Sequence, residues 1–288
     1  MYLYHRIEEL VAANTDSRRA IGSFVLSEAE HLSDFTIADI AQATFTSKAS
    51  CTRFAQSLGY DGWRPFIKDF IAEQLYQEKH PAFVDANFPF DAEANEEQVI
   101  EAIADLTADA VSDTARLINR GLLARAAKLL ADARRVRVFA LSPNSYMGGL
   151  FCRKLLSIGI DAMEAVPSEL GVIARSLGEL DCAVIISYSG NNPESDPMRQ
   201  VPILLANKVP IVAIAGDGNN YLRKCANATL TISSRESLYS KIGTLASEAS
   251  VNYLLDVLFG CVFARDYERN LEFKLIGGRQ LESERSQA

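Results

Sequence analysis

Residues 36–60 read TIADIAQATFTSKASCTRFAQSLGY, and the way this stretch divides decides the reading of the first third of the chain. Thr36 stands three residues ahead of Asp39, and the apolar Ile40 follows. At that spacing a hydroxyl and a carboxylate cap each other's backbone at a helix start. The helix so opened is short and ends near Ala43, where Thr44, Phe45 and Thr46 break the pattern. Ser47 then caps a second helix over Lys48–Leu58, and Gly59 stands where a left-handed C-terminal residue belongs. Cys51, Phe54, Ala55 and Leu58 share its apolar face.

Outward from there, Asp16 or Ser17 opens an earlier helix carrying Ile21, Phe24, Val25 and Ala29, and a later one runs from about Trp63 to Lys79. Pro81 and Pro89 interrupt a stretch without helical period, so residues 81–95 read as a linker. Helical spacing returns over 96–134. From Val136 onward short apolar runs alternate with helix-length segments: Val136–Leu141, Asp161–Met163, Cys182–Tyr188, Ile211–Ala215 and Thr229–Ser233 are the expected strands. A long helix is expected over Lys241–Arg265. The organisation expected is an all-α domain over 1–80, a linker and connecting helix over 81–120, an α/β domain over 121–268, and a polar tail over 269–288, a frayed helix or disordered.

Composition narrows the function classes. A net charge of −8 argues against a protein that coats nucleic acid non-specifically. The five cysteines are dispersed without a CxxC, which fits small core residues in a reducing compartment better than disulfides or metal. His5, His31 and His80 form no cluster with them, so no structural metal site is expected. No uninterrupted apolar stretch reaches the roughly 18 residues of a membrane span.

Two places carry chemistry. A helix, a tight turn and a second helix form the geometry that holds a recognition helix in the major groove. The second helix begins with short or polar residues, and Ser47, Lys48, Ser50, Thr52 and Arg53 are the candidate DNA contacts. From Lys48 to Lys68 the cations Lys48, Arg53, Arg64 and Lys68 accompany the acid Asp61, a local cationic bias in an acidic chain. An exposed polar face on an ordinary bundle, with Arg53 paired to Asp39, is the competing reading. In the α/β zone, Ser142-Pro143-Asn144-Ser145 follows the first strand and Ser187-Tyr188-Ser189-Gly190-Asn191-Asn192 follows CAVII. The second run is expected to lead into a helix, so hydroxyls and free N–H groups would converge on an anion. Turns of any kind are rich in the same residues.

The segment IADIAQATFTSKASCTRFAQSLGYDGWRPFIKDF resembles the N-terminal domain of the MurR/RpiR transcription regulators. The resemblance rests on Ser47, Ala49, Ser50, Arg53, Phe54, Leu58, Gly59 and Tyr60, together with Phe66 and Phe70. Phe45 occupies a turn position where that family often has glycine, and Gln56 and Ser57 stand where it often has a basic pair. The run ISYSGNN resembles the SxSGxT motif of SIS domains, which bind phosphosugars. That resemblance implies an effector site at Asn144, Ser145, Ser187, Ser189, Asn192, Ser240 and Lys241, with Lys241 able to supply charge. The family's first phosphate loop, GxGxS, stands here as Ala140-Leu141-Ser142-Pro143-Asn144; both glycines are replaced and Pro143 lacks a donor N–H.

Together the resemblances imply a helix-turn-helix domain plus an α/β SIS domain, a parallel sheet flanked by helices. They imply a cytoplasmic DNA-binding regulator of carbohydrate metabolism acting on double-stranded operator DNA. A sugar phosphate would be its effector, and a homodimer or homotetramer its assembly, with no membrane, cofactor, metal or catalytic residue. The rival is an SIS-fold sugar-phosphate isomerase. Such an enzyme needs a base, and no histidine follows His80. Glu248 is the best carboxylate candidate, and Glu194 and Asp196 read as charges at a helix N-terminus.

Overall fold

The computed structural model describes residues 3–79, 84–217, 220–233, 235–237 and 240–285. His80, the first residues of the expected linker and the last three of the tail lie outside them. The chain forms two compact units, residues 1–110 with 234–246, and residues 111–233 with 247–288.

The first unit begins with α1 (Leu3–Ala13), α2 (Ser17–Ser27), a 3-10 segment (Ala29–Asp34), α3 (Ile37–Ala43), α4 (Lys48–Ser57) and α5 (Trp63–Lys79). Asp16 caps α2 by accepting the Arg18 N–H. Thr36 and Asp39 form the reciprocal cap on α3, and the Ser47 hydroxyl accepts the Ser50 N–H at the start of α4. Helix α1 was not anticipated, although Leu3, Ile7, Leu10 and Val11 carry its apolar spacing. Ile7, Ile21, Ile40, Phe54, Phe66 and Phe70 meet in one core.

Helix α6 (Glu96–Leu117) crosses the boundary between the units, and α7 (Arg120–Asp132) follows it. The second unit then alternates β1 (Val136–Phe139), α8 (Asn144–Leu156), β2 (Ala162–Glu164), α9 (Leu170–Ser176), β3 (Cys182–Ile186), α10 (Val201–Ala206), β4 (Ile211–Gly216), α11 (Tyr221–Cys225) and β5 (Ala228–Ile232). The strands form one parallel sheet in the order β2-β1-β3-β4-β5. β3, β4 and β5 are buried along their whole length, as apolar runs covered on both faces must be. Val184, Ile186, Val212 and Ile214 face a core shared with α7, α8 and α12 (Leu245–Arg265), while Ala183, Ile185, Ala213 and Ala215 face α9, α10 and α11. The period of two decides which face each residue serves.

One expected boundary shifts. The last long helix begins at Leu245 rather than Lys241. Of the two forms expected for the tail, the helical one is found, α13 (Tyr267–Arg285). It is fastened at its start, where the Arg269 guanidinium donates to the Ile158 carbonyl at 2.7 Å and stacks 5.6 Å from the Phe273 ring. Helix α12 is long and apolar enough to cross a membrane by length and composition, with a mean hydropathy of 1.3. Its Val251, Leu254, Leu255, Leu258 and Val262 are buried in the core against the sheet.

Asp181 ties the entrance of β1 to that of β3. Its buried carboxylate accepts from Arg134 and Arg135 at 2.8–3.1 Å and from the Gly178 N–H at 2.9 Å. These donors, the Arg135 guanidinium first, hold its pKa well below the usual carboxylate range. A depressed folded-state pKa contributes stability that is fully present above the unfolded value and is lost as pH falls toward the folded one. Asp181→Asn is therefore expected to lower unfolding free energy by about 2–3 kcal/mol at pH 7. The gap to the parent chain should close as pH falls below about 4, measured by urea titration at several pH values.

Candidate functional site

The turn between α3 and α4 is built from hydrogen bonds that return to α3. The Phe45 N–H donates to the Gln42 carbonyl at 3.1 Å and the Thr46 N–H to the Ala41 carbonyl at 2.8 Å. That pair of bonds closes a helix C-terminus around a left-handed residue. Here the residue is Phe45, with φ of 54°. Helix α4 ends the same way: Gly59 N–H donates to Gln56 and Tyr60 N–H to Ala55, around Gly59 at φ 83°. Inside, Phe54 packs at 5.7 Å edge-to-face on Phe66 and at 6.3 Å on Trp63. From α1, the buried guanidinium of Arg6 donates to the Leu58 carbonyl and lies 5.9 Å from the Tyr60 ring. Burial pushes the Arg6 pKa down.

With Cys51, Phe54, Ala55 and Leu58 buried, the opposite side of α4 faces outward. Ser47, Lys48, Ala49 and Arg53 are exposed, and Thr52 is half-buried with its hydroxyl donating to the Lys48 carbonyl at 3.2 Å. Arg53 has no carboxylate partner among the described residues; it donates to Ser50 Oγ at 3.1 Å. Asp39 accepts from Thr36 instead, and those bonds lower its pKa. Ser50 does not share the outward placement. It is buried, at 9% exposure, and its hydroxyl lies between Ser47 Oγ at 3.0 Å and the Arg53 guanidinium. Its position three residues into the helix turns it toward the cap, so it orients Ser47 and Arg53 rather than standing free for a duplex.

In the second unit the sheet order changes direction at β1, which has β2 on one side and β3 on the other. A parallel sheet opens a crevice beyond the C-terminal ends of the two strands at such a point. Asn144 and Ser145 follow β1, and Ser187, Ser189 and Asn192 follow β3, so the sheet brings these five candidates to one edge. Helix α8 starts at Asn144, with no side-chain cap from Pro143 and no acid in its first turn. The Ser145 and Tyr146 N–H groups donate to the Leu141 and Pro143 carbonyls at 3.1 Å, so backbone carbonyls rather than an acid meet its positive end. Ser145 is buried and Asn144 half-buried. The Ser187 hydroxyl accepts the Gly190 N–H at 3.2 Å, closing a turn in which Gly190 has φ 59°. A side chain at Gly190 would stand 3.0 Å from Asn220 Oδ1. Ser189 is half-buried and carries no hydrogen bond among the described residues.

As expected, a loop follows β3: residues 187–197 are irregular, a 3-10 turn spans Met198–Gln200, and α10 follows. The helix end beside these loops belongs to α8. Ser240 and Lys241 lie in segment 234–246, which belongs to the first unit. Lys241 Nζ donates to the buried Glu236 carboxylate at 3.2 Å, so its charge is balanced by a carboxylate. Glu194 and Asp196 serve the loop: Asp196 accepts from Gln200 Nε2 at 2.6 Å, and the Glu194 carbonyl accepts from Arg199. Glu248 is half-buried in the first turn of α12.

Residues 1–78 match the model of the helix-turn-helix domain of the rpiR family. Over these residues the first unit is similar to the helix-turn-helix domains of that family. The likeness to regulators extends past that domain. An uncharacterized HTH-type transcriptional regulator of Clostridium perfringens is 22% identical over 275 residues, 96% of this chain and 97% of its own length. The Vibrio vulnificus NanR protein complexed with ManNAc-6P superposes with a TM-score of 0.62 at 21% identity, covering 97% of this chain and 98% of that one. The sugar isomerase domain of an RpiR transcription factor from Sphaerobacter thermophilus covers 63% of this chain and 99% of its own, with a TM-score of 0.55 at 15% identity. The second unit has the fold of a sugar isomerase (SIS) domain.

Within the rpiR-type domain, sequence reasoning missed Arg6. A lone arginine between Tyr4 and Ile7 on an unrecognised helix gave no sign of its burial. Only the folded chain brings it to the end of α4, 52 residues away.

Proposed function

We propose that this chain is a cytoplasmic transcription regulator of carbohydrate metabolism. Its α4 enters the major groove of operator DNA, and a sugar phosphate in the crevice between β1 and β3 modulates that binding. The observation that carries the reading is the outward first turn of an rpiR-like α4, with Lys48 and Arg53 exposed and, among the described residues, no carboxylate bonded to Arg53. Ser47, Lys48, Thr52 and Arg53 meet bases and phosphates in this reading, and Ser50 holds Arg53 in place. The candidate domain limits, 1–80 for DNA binding and 121–268 for effector binding, carry over as part of the proposal, with the intervening segment relaying between them. Pairing of two chains would present two α4 helices to successive turns of a palindromic site, as a homodimer or homotetramer.

The effector class follows from chemistry. A phosphate suits the start of α8, which has no acid in its first turn, and the hydroxyls of Ser145, Ser187 and Ser189. ManNAc-6P in the NanR complex shows that a chain of this fold accepts such a ligand. Asn144 and Asn192 would read sugar hydroxyls. Ser240 and Lys241 remain part of the proposed effector site. An effector shifts the equilibrium only as far as its affinity differs between DNA-competent and incompetent states. The isomerase alternative needs Glu248 as its base, and the likeness to transcriptional regulators along nearly the whole chain weighs against it.

Two measurements test this. Lys48→Ala and Arg53→Ala are each expected to weaken binding to a duplex selected by the wild-type chain by about 1–3 kcal/mol. A residue on phosphate also lowers the salt slope by about one. Unchanged isotherms for both variants would remove α4 from the interface. A panel of sugar phosphates should contain a member that raises Tm by several degrees in wild type and less in Ser189→Ala. Turnover of a phosphosugar by a chain with no DNA preference would favour the isomerase.

A further inference from the structure

Among the described residues of the first unit the most exposed large apolar side chain is Phe45, at 96% exposure, and its backbone is left-handed with φ of 54°. Both features are unfavourable by themselves. A left-handed φ is costly for any residue with a Cβ, and a phenyl ring in water gains nothing from burial. No packing inside the unit offsets either. Glycine or asparagine would satisfy the backbone here without strain, as Gly59 does at the end of α4.

The turn around Phe45 is otherwise closed. The Thr44 hydroxyl donates to the Ile40 carbonyl at 2.7 Å and shares a hydrogen bond with the Thr46 hydroxyl at 2.9 Å. The N–H groups of Phe45 and Thr46 return to α3. What the turn presents outward is therefore the ring, on a backbone held from both sides. It precedes Ser47 by two residues and Lys48 by three, on the approach to the exposed first turn of α4.

We propose that Phe45 is a DNA-contacting residue whose ring meets thymine C5-methyl groups at the edge of the major groove, beside the bases that α4 reads. This rests on the reading of α4 as a recognition helix. The thymine methyl is the apolar group that the major groove offers, and phenylalanine is among the side chains that pack on it. The ring adds no charge, so its contribution is to sequence choice rather than to attraction for phosphate.

The test uses the full chain and a duplex that wild type selects from a random-sequence pool. Anisotropy isotherms are measured for wild type and Phe45→Gly. Each duplex is used as selected and with single thymines replaced by deoxyuridine, which lacks only the methyl. Phe45→Gly should weaken binding about fivefold, leave the salt slope unchanged, and not lower Tm. At one or two positions deoxyuridine should weaken wild type by a similar factor and leave Phe45→Gly unaffected, the coupling expected of groups in contact. Equal affinity of the two chains, or deoxyuridine penalties that persist in Phe45→Gly, would overturn the contact while leaving α4 as the reading helix. Loss of self-association in Phe45→Gly without DNA, by sedimentation, would assign the ring to a second copy of the chain and also overturn it. If wild type selects no duplex, the DNA reading falls and this contact with it.

Discussion

Burial of Phe54 sets which way α4 faces. The ring lies between Trp63 and Phe66, and Cys51, Ala55 and Leu58 follow it inward at helical spacing. A helix pinned along one stripe can present only the opposite one. Ser47 at one end, and Gly59 with the Arg6 guanidinium at the other, stop the rod from sliding or unwinding. Lys48 and Arg53 are outward because Phe54 is inward.

A different constraint places the loops of the second unit. Strands buried on both faces must be joined by helices that cover the sheet, and such crossovers leave the strand ends open at one edge. The order β2-β1-β3-β4-β5 puts the gap between outgoing chains at β1 and β3. The serines and asparagines of two loops meet there because of topology. The same sheet depends on Asp181, which holds the entry of β1 to that of β3 from the far edge.

Much of this was legible in the residues themselves, wherever the determining interaction is local. The Thr36–Asp39 cap, the Ser47 cap, the left-handed Gly59 and the strands of CAVII and IVAIA each depend on neighbours within a few positions. What was hidden depends on partners far along the chain or on detail within a cap. Ser50 reads as a polar contact until its hydroxyl is found between Ser47 and Arg53. Lys241 reads as a spare charge until Glu236 is found beside it. The polar end of the chain reads as a tail because the fastening of α13 to Ile158 by Arg269 spans 111 residues.

The central claim is that the outward stripe of α4 lies in a DNA groove. A crystal structure of the full chain on a duplex it selects tests this most directly. The account predicts the first turn of α4 in the major groove, with Lys48 and Arg53 within hydrogen-bonding distance of bases or phosphates. A complex in which α4 is covered by protein, and the duplex lies against another surface, would contradict it.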